Sequence, residues 1–241
     1  PNTILGPITG NKYTKKINGI SSFVRKYIFP VLYKINLYII FKRLKFVFFS
    51  TDILKKYINK ENKKKSFFNY NLNALSLQKK VPKEKIIVVY YRKHETKENI
   101  FQLNLIKRLS NLDFKIHVFG NNINIKKVIN HNFISFKNKN LLLKKSMFAI
   151  NSGDNFYSFF LLDCMSNHVK IFYDSRSKPH EFLLNKKLLI PIDFNDEEKS
   201  YKKIKKLLRF RSTPSIKNNF LKVGSTMKKR SISYFSQFKY I

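Results

Sequence analysis

Two short stretches carry the side chains best suited to hold a phosphorylated ligand. The first is YYRKHETKEN, residues 90–99. Arg92 and Lys97 lie five positions apart, just past the apolar run Ile86–Tyr90 and just before a helical periodicity. A loop that leaves a strand and enters a helix is where α/β folds bind ligands. Two cations beside the amides of a helix N-terminus suit a pyrophosphate. The arginine can grip phosphate oxygens in a fork, and the lysine supplies a point charge. An arginine and a lysine in one loop also arise by chance in a chain with 49 Lys and Arg.

The second stretch is NSGDNFYSFFLLDCMS, residues 151–166. It follows the apolar run Phe148–Asn151 and opens a helix. Ser152 and Gly153 let the backbone turn close to a ligand. Asp154, Asn155 and Ser158 stand at the start of that helix, where they could touch a ligand or cap the helix. Asp163 follows Asn155 by eight residues, just over two helical turns, so both can face one edge of a cleft. A carboxylate there could hold ribose hydroxyls, or it could pair with a nearby lysine. A third feature is the opening run PNTILGPITG, where Gly6 and Gly10 frame a loop after a β-prone segment. That loop reads either as the edge of a ligand cleft or as an ordinary turn.

No cofactor or metal is expected. The five histidines (His94, His117, His131, His168, His180) show no ligand spacing, and no carboxylate cluster suits Mg²⁺. The single cysteine, Cys164, can form neither an internal disulfide nor a cysteine-based zinc site. That points to a reducing compartment.

The elements that must position these residues alternate along the second half. Strands are predicted at Ile86–Tyr90, Phe114–Phe119, Phe133–Phe136, Phe148–Asn151 and Val169–Tyr173. Helices are predicted at Glu98–Leu109, 122–130, Asn140–Lys145, Tyr157–Ser166 and 196–209. Strands alternating with helices imply a parallel sheet with right-handed crossovers. Residues 20–44 have helical apolar spacing with Arg25, Lys26, Lys34, Lys42 and Arg43 interspersed. Lys34 breaks the apolar run short of the roughly 20 residues a membrane span needs. The stretch reads as a packed helix, or as a basic aromatic helix lying on a membrane surface. Phe46–Ser50 is a compact buried-strand candidate, followed by a short helix over DILKKYI. The Lys- and Asn-rich residues 59–84 read as a linker, with a domain boundary near residue 84. The chain begins at Pro1 inside what reads as a strand and loop, so a preceding N-terminal portion is expected.

The net charge is +35, from 49 Lys and Arg against 14 Asp and Glu. Such a balance can serve nucleic acid or an anionic membrane. The lysines are spread along the whole chain and come with abundant Asn and Ile, which fits a background compositional bias with a membrane-facing basic surface. No nucleic-acid-binding motif is visible.

Together the two stretches resemble the donor-binding domain of the GT-B glycosyltransferases, of the group 1 type. In that family an arginine after the first strand of the C-terminal domain is followed five positions later by a lysine, as Arg92 and Lys97 are here. Two glutamates with seven residues between them mark the start and middle of a later helix, the second followed by a small residue, Met and a small residue, then a turn and a strand. Asp163-Cys164-Met165-Ser166-Asn167-His168-Val169 matches that pattern. The sequence departs at Tyr91, where the family has glycine, at Asn155, where it has the first glutamate, and at Asp163, a shortened second glutamate. Asp154-Asn155-Phe156-Tyr157-Ser158 is similar to a branch with an acid-Asn-x-Tyr-Ser pattern.

The resemblance implies an α/β fold of GT-B type, two Rossmann-like domains with parallel sheets, the N-terminal one incomplete. Residues 1–58 would end the acceptor domain, 59–84 would link, 85–195 would bind the donor, and 196–241 would form a helical tail. Arg92 and Lys97 would hold the donor diphosphate. Asp163 would meet the ribose, and the amides of Gly153, Asp154, Asn155, Phe156 and Tyr157 would face sugar or phosphate, with Ser158 next to them. The implied reaction moves a sugar from a nucleotide-diphosphate-sugar to a saccharide or lipid-linked acceptor, in the cytoplasm or at the inner face of the membrane. Competing readings are a basic nucleic-acid-binding module and an inactive scaffold of the same fold.

Overall fold

The computed structural model describes residues 4–8, 20–44, 46–49, 53–68, 78–93, 100–151, 158–175, 177 and 188–209, and four isolated residues between 229 and 236. The chain divides into two compact units, residues 1–74 with 224–241, and residues 75–223.

The first unit holds a three-stranded parallel sheet in the order β1-β2-β3, formed by Ile4–Ile8, Phe46–Phe49 and Ser66–Phe68. Gly6 and Pro7 lie inside β1, at a break in its register between Leu5 and Ile8, and not in a loop after it. Glycine tolerates such an irregularity, and proline removes a ladder donor there. Between β1 and β2 runs a helical stretch: α1 Ile20–Phe23, a π-helical turn Val24–Ile28, and α2 Phe29–Arg43. Pro30 sits in the first turn of α2, where its missing N–H costs nothing within that helix. The wider turn before it relieves the clash its ring would make in a continuous α-helix. Leu37 and Phe41 pack on Val47, Phe49, Leu54 and Ile58 to form the core. A 3₁₀ turn, Ile53–Tyr57, stands where the short helix is expected. The lysine-rich stretch expected as a linker contains α3 (Lys60–Lys63) and β3. Phe67 and Phe68 hold that strand by stacking on Phe48 and Phe49 at 5.3 and 5.2 Å.

The second unit is a six-stranded parallel sheet in the order β6-β5-β4-β7-β8-β9. Its strands are β4 Glu84–Tyr91, β5 Lys115–Gly120, β6 Val128–His131, β7 Ser146–Ile150, β8 Lys170–Asp174 and β9 Leu189–Ile192. Helices α4 Ile100–Leu109, α5 Phe136–Lys145, α6 Phe159–Ser166 and α7 Glu197–Leu208 complete it. The central strands β4, β7 and β8 are near-continuous apolar runs because both sheet faces are covered. Three assignments differ from those read in the sequence. Residues 122–130 form no helix, and their end is the edge strand β6. Phe133–Phe136 is not a strand, since Ser135 caps α5 by accepting from the amide of Asn138 at 3.3 Å. Strand β9 is additional; its Pro191 is tolerated because β9 is a sheet edge.

Taken in chain order the six strands lie 3-2-1-4-5-6, so the winding direction reverses between β4 and β7. A ligand crevice is expected there, outside the carboxyl ends of the strands.

Candidate functional site

Both stretches singled out in the sequence leave the carboxyl ends of the two strands at that reversal: Arg92 follows β4, and Asn151 to Ser158 follow β7. Beside them an open cleft of about 450 Å³ is lined by residues of β4, β5, β6, α5 and α6 and their loops. Its floor is a chain of rings. Tyr90 stacks on Phe160 at 5.6 Å, Phe160 meets Phe119 at 6.0 Å, and Phe119 stacks on His131 at 5.3 Å.

Arg92 stands exposed at the cleft wall, with no ion pair to another described residue. On another wall Lys139 of α5 and Asp163 of α6 form an ion pair at 2.6 Å, each about a quarter exposed. The lysine also lies over the Phe136 ring at 5.0 Å. The local-lysine alternative for Asp163 is therefore met, and the pair itself faces the cleft. Phe133 is 93% exposed and Phe159 71% exposed, both lining the cleft. Exposed rings of this kind suit a stacked base or a sugar face.

Ser158 caps α6. Its hydroxyl accepts from the Leu161 amide at 3.2 Å and is 3.1 Å from Asn151 Oδ1, to which it donates. Asn151 is buried, and its amide donates to Phe172 at 3.0 Å, tying the loop's first residue to β8. The mouth of the cleft on the other side depends on Gly120. Its φ is +99°, and a Cβ there would lie 2.2 Å from the Tyr91 carbonyl oxygen. The Asn121 amide donates to that oxygen at 3.0 Å, while Asn121 Oδ1 accepts from the Lys93 amide at 2.8 Å. The ends of β4 and β5 are thus fastened together where Arg92 emerges.

Behind the cleft His117 Nδ1 and His131 Nε2 share a hydrogen bond of 2.9 Å between stacked rings. Burial, with the neighbouring His131 and Lys115, lowers His117 to about 4, and burial lowers His131 as well. The pair is therefore neutral at pH 7. The far ends of α5 and α6 are pinned by Lys83, whose ammonium donates to the carbonyls of Lys144 at 2.8 Å and Asn167 at 2.7 Å. Burial lowers its pKa to about 8. The turn after α6 closes with Val169 donating to Cys164 and His168 donating to Met165, His168 taking φ +58° at the position usually held by glycine.

Of the residues singled out by sequence, Arg92, Ser158 and Asp163 come together around this cleft. Gly6 belongs to the other unit. Lys97, Gly10, Gly153, Asp154, Asn155, Phe156 and Tyr157 lie outside the described residues. The sequence reading missed Lys139, Phe133, Phe159 and the His117–His131 pair. Phe133 reads in the sequence as the start of a strand, which hides its exposure at the cleft. Lys139 carried no signal among so many lysines. Among the described residues no three metal-ligating side chains cluster.

No family model matches the chain, and no curated protein matches it in sequence. Among solved structures it is similar to the kitacinnamycin glycotransferase, at 10% identity and a TM-score of 0.46 over 80% of this chain and 55% of that one. It is similar to CalG4, the calicheamicin glycosyltransferase, at 10% identity and a TM-score of 0.47 over 80% of this chain and 52% of that one. For the spinosyn forosaminyltransferase SpnP the values are 16% and 0.42, over 61% of this chain and 40% of that one. The chain spans about half the length of these structures.

Proposed function

We propose that the cleft binds a nucleotide-diphosphate-sugar and that the protein transfers its sugar to a saccharide or lipid-linked acceptor. One observation carries the reading: an exposed arginine stands at the reversal point of a 3-2-1-4-5-6 parallel sheet, over a ring-floored cleft of about 450 Å³. Arg92 holds the diphosphate, and Lys97 is assigned to it as the second cation. Phe133 or Phe159 stacks on the base, and Asp163, shared with Lys139, accepts from the ribose hydroxyls. The amides of residues 153–157 face the sugar and phosphate. The nucleoside diphosphate leaves with growing negative charge, and fixed cations and amides stabilise that charge without having to reorganise. In this reading the two units are parts of a GT-B pair. The first unit belongs to the acceptor half, and residues 85–195 of the second bind the donor.

The test is a panel of UDP-, GDP- and ADP-sugars incubated with the protein and extracts of surface glycans, with nucleoside diphosphate release followed by chromatography. Acceptor-dependent release from one donor class supports the reading. Binding of a nucleotide-sugar without release under any acceptor would reduce the protein to an inactive scaffold.

A further inference from the structure

The first unit carries an apolar surface that its own core does not use. Leu37 and Phe41 on one side of α2 are buried against the sheet. On the opposite side Val31 is 53%, Ile35 50% and Tyr38 64% exposed. Leu32 and Ile39 are also exposed beside them, and Phe23 and Tyr27 extend the series back through α1 and the π-helical turn. At 100° per residue, Val31, Ile35, Tyr38 and Ile39 fall on one stripe. Lys34, Lys42 and Arg43 are exposed on the same helix, and residues 20–43 contain no acid.

We propose that this face of α1 and α2 docks the protein on a bilayer rich in anionic lipid, lying in the interface without crossing it. No helix among the described residues is long and apolar enough to span a membrane. An apolar stripe with tyrosines, accompanied by cations and free of acids, is the composition that settles at the headgroup level. Each lysine or arginine near an anionic surface adds attraction, and the overall charge of +35 adds to it. The cations argue against a second copy of this chain, since a two-fold contact would set them against one another. They also argue against an ordinary protein partner, whose contact cores are depleted in lysine. Nucleic acid would match the charge and leave the apolar stripe in water. The proposal does not depend on the reaction assigned to the cleft.

The chain contains no tryptophan, so Tyr38→Trp places a single reporter on the stripe. The full chain is mixed with vesicles of phosphatidylcholine alone and of phosphatidylcholine with phosphatidylglycerol. We expect co-sedimentation with the anionic vesicles and a blue shift of the Trp emission on binding. Ile35→Glu with Tyr38→Glu should lower partitioning at least tenfold, with an unchanged circular dichroism spectrum. Sedimentation with no emission shift would mean that diffuse charge alone binds, and would overturn the proposal. So would a blue shift that grows with protein concentration without vesicles, which would assign the face to a second copy.

Discussion

At the scale of single residues, the cleft sets one exposed cation, Arg92, against an ion pair, Lys139 with Asp163. Asp163→Asn removes a carboxylate that both accepts from Lys139 and faces the cleft. It should weaken a ribonucleoside diphosphate several-fold while leaving inorganic pyrophosphate binding unchanged or stronger, because Lys139 is then released toward anions. Competition titrations with the two ligands measure this. The histidine pair gives a prediction in pH. The folded pKa of His117, about 4, lies below its ordinary 6.5. The unfolded chain therefore binds more protons between those values, and stability falls as pH drops from 6.5 toward 4. Partial exposure of His117 to solvent reduces the effect to about 1 kcal/mol. Urea midpoints at pH 7 and pH 4.5 should show it, and His117→Gln should flatten the difference.

Among the elements, edge strand β6, whose last residue His131 lines the cleft, and the segment before it were the least legible part of the sequence. Apolar runs such as Ile86–Tyr90 and Phe148–Ile150 announce central strands, because burial on both faces leaves no polar alternation. Edge strand β6 reads Val-Ile-Asn-His and is mostly exposed, so it carries no such signal. Ile123 and Ile125, which suggest a helix, are instead held in an irregular segment. There Asn130 bonds both the amide and the carbonyl of Ile123 at 3.0 Å. Strand β9 is concealed by Pro191, whose presence argues against a strand anywhere but an edge. In the sequence Gly120 is just the residue after the predicted strand Phe114–Phe119, although a side chain there is excluded. Gly120→Ala forces a Cβ onto the Tyr91 carbonyl at positive φ. It should cost on the order of 2–3 kcal/mol in chemical unfolding, and it should also loosen nucleotide binding by moving the strand end that carries Arg92.

For the molecule as a whole, strands alternating with helices implied a parallel sheet, and the resemblance carried by Arg92, Lys97 and the segment from Asp163 to Val169 implied Rossmann-like domains. The sheet order agrees with that expectation. The second stretch reaches the sheet's reversal through Asn151 and Ser158, the described residues on either side of its loop. What the sequence could not separate was the charge that binds from the charge that merely solvates, since 49 Lys and Arg mask any local cluster. Only packing does so, by placing Arg92 and Lys139 in one cleft and Lys83 under the helix ends. In the function proposed above, Arg92 grips a diphosphate at the reversal between β4 and β7. Calorimetric titration of the full chain with UDP, GDP, CDP and ADP, repeated with Arg92→Ala and with a single-stranded oligonucleotide, tests it most directly. One nucleoside diphosphate should bind, and Arg92→Ala should weaken it about tenfold to a hundredfold, as expected for a charged phosphate contact. Equal affinity in the variant, or binding of the oligonucleotide alone with a steep fall in added salt, would contradict it.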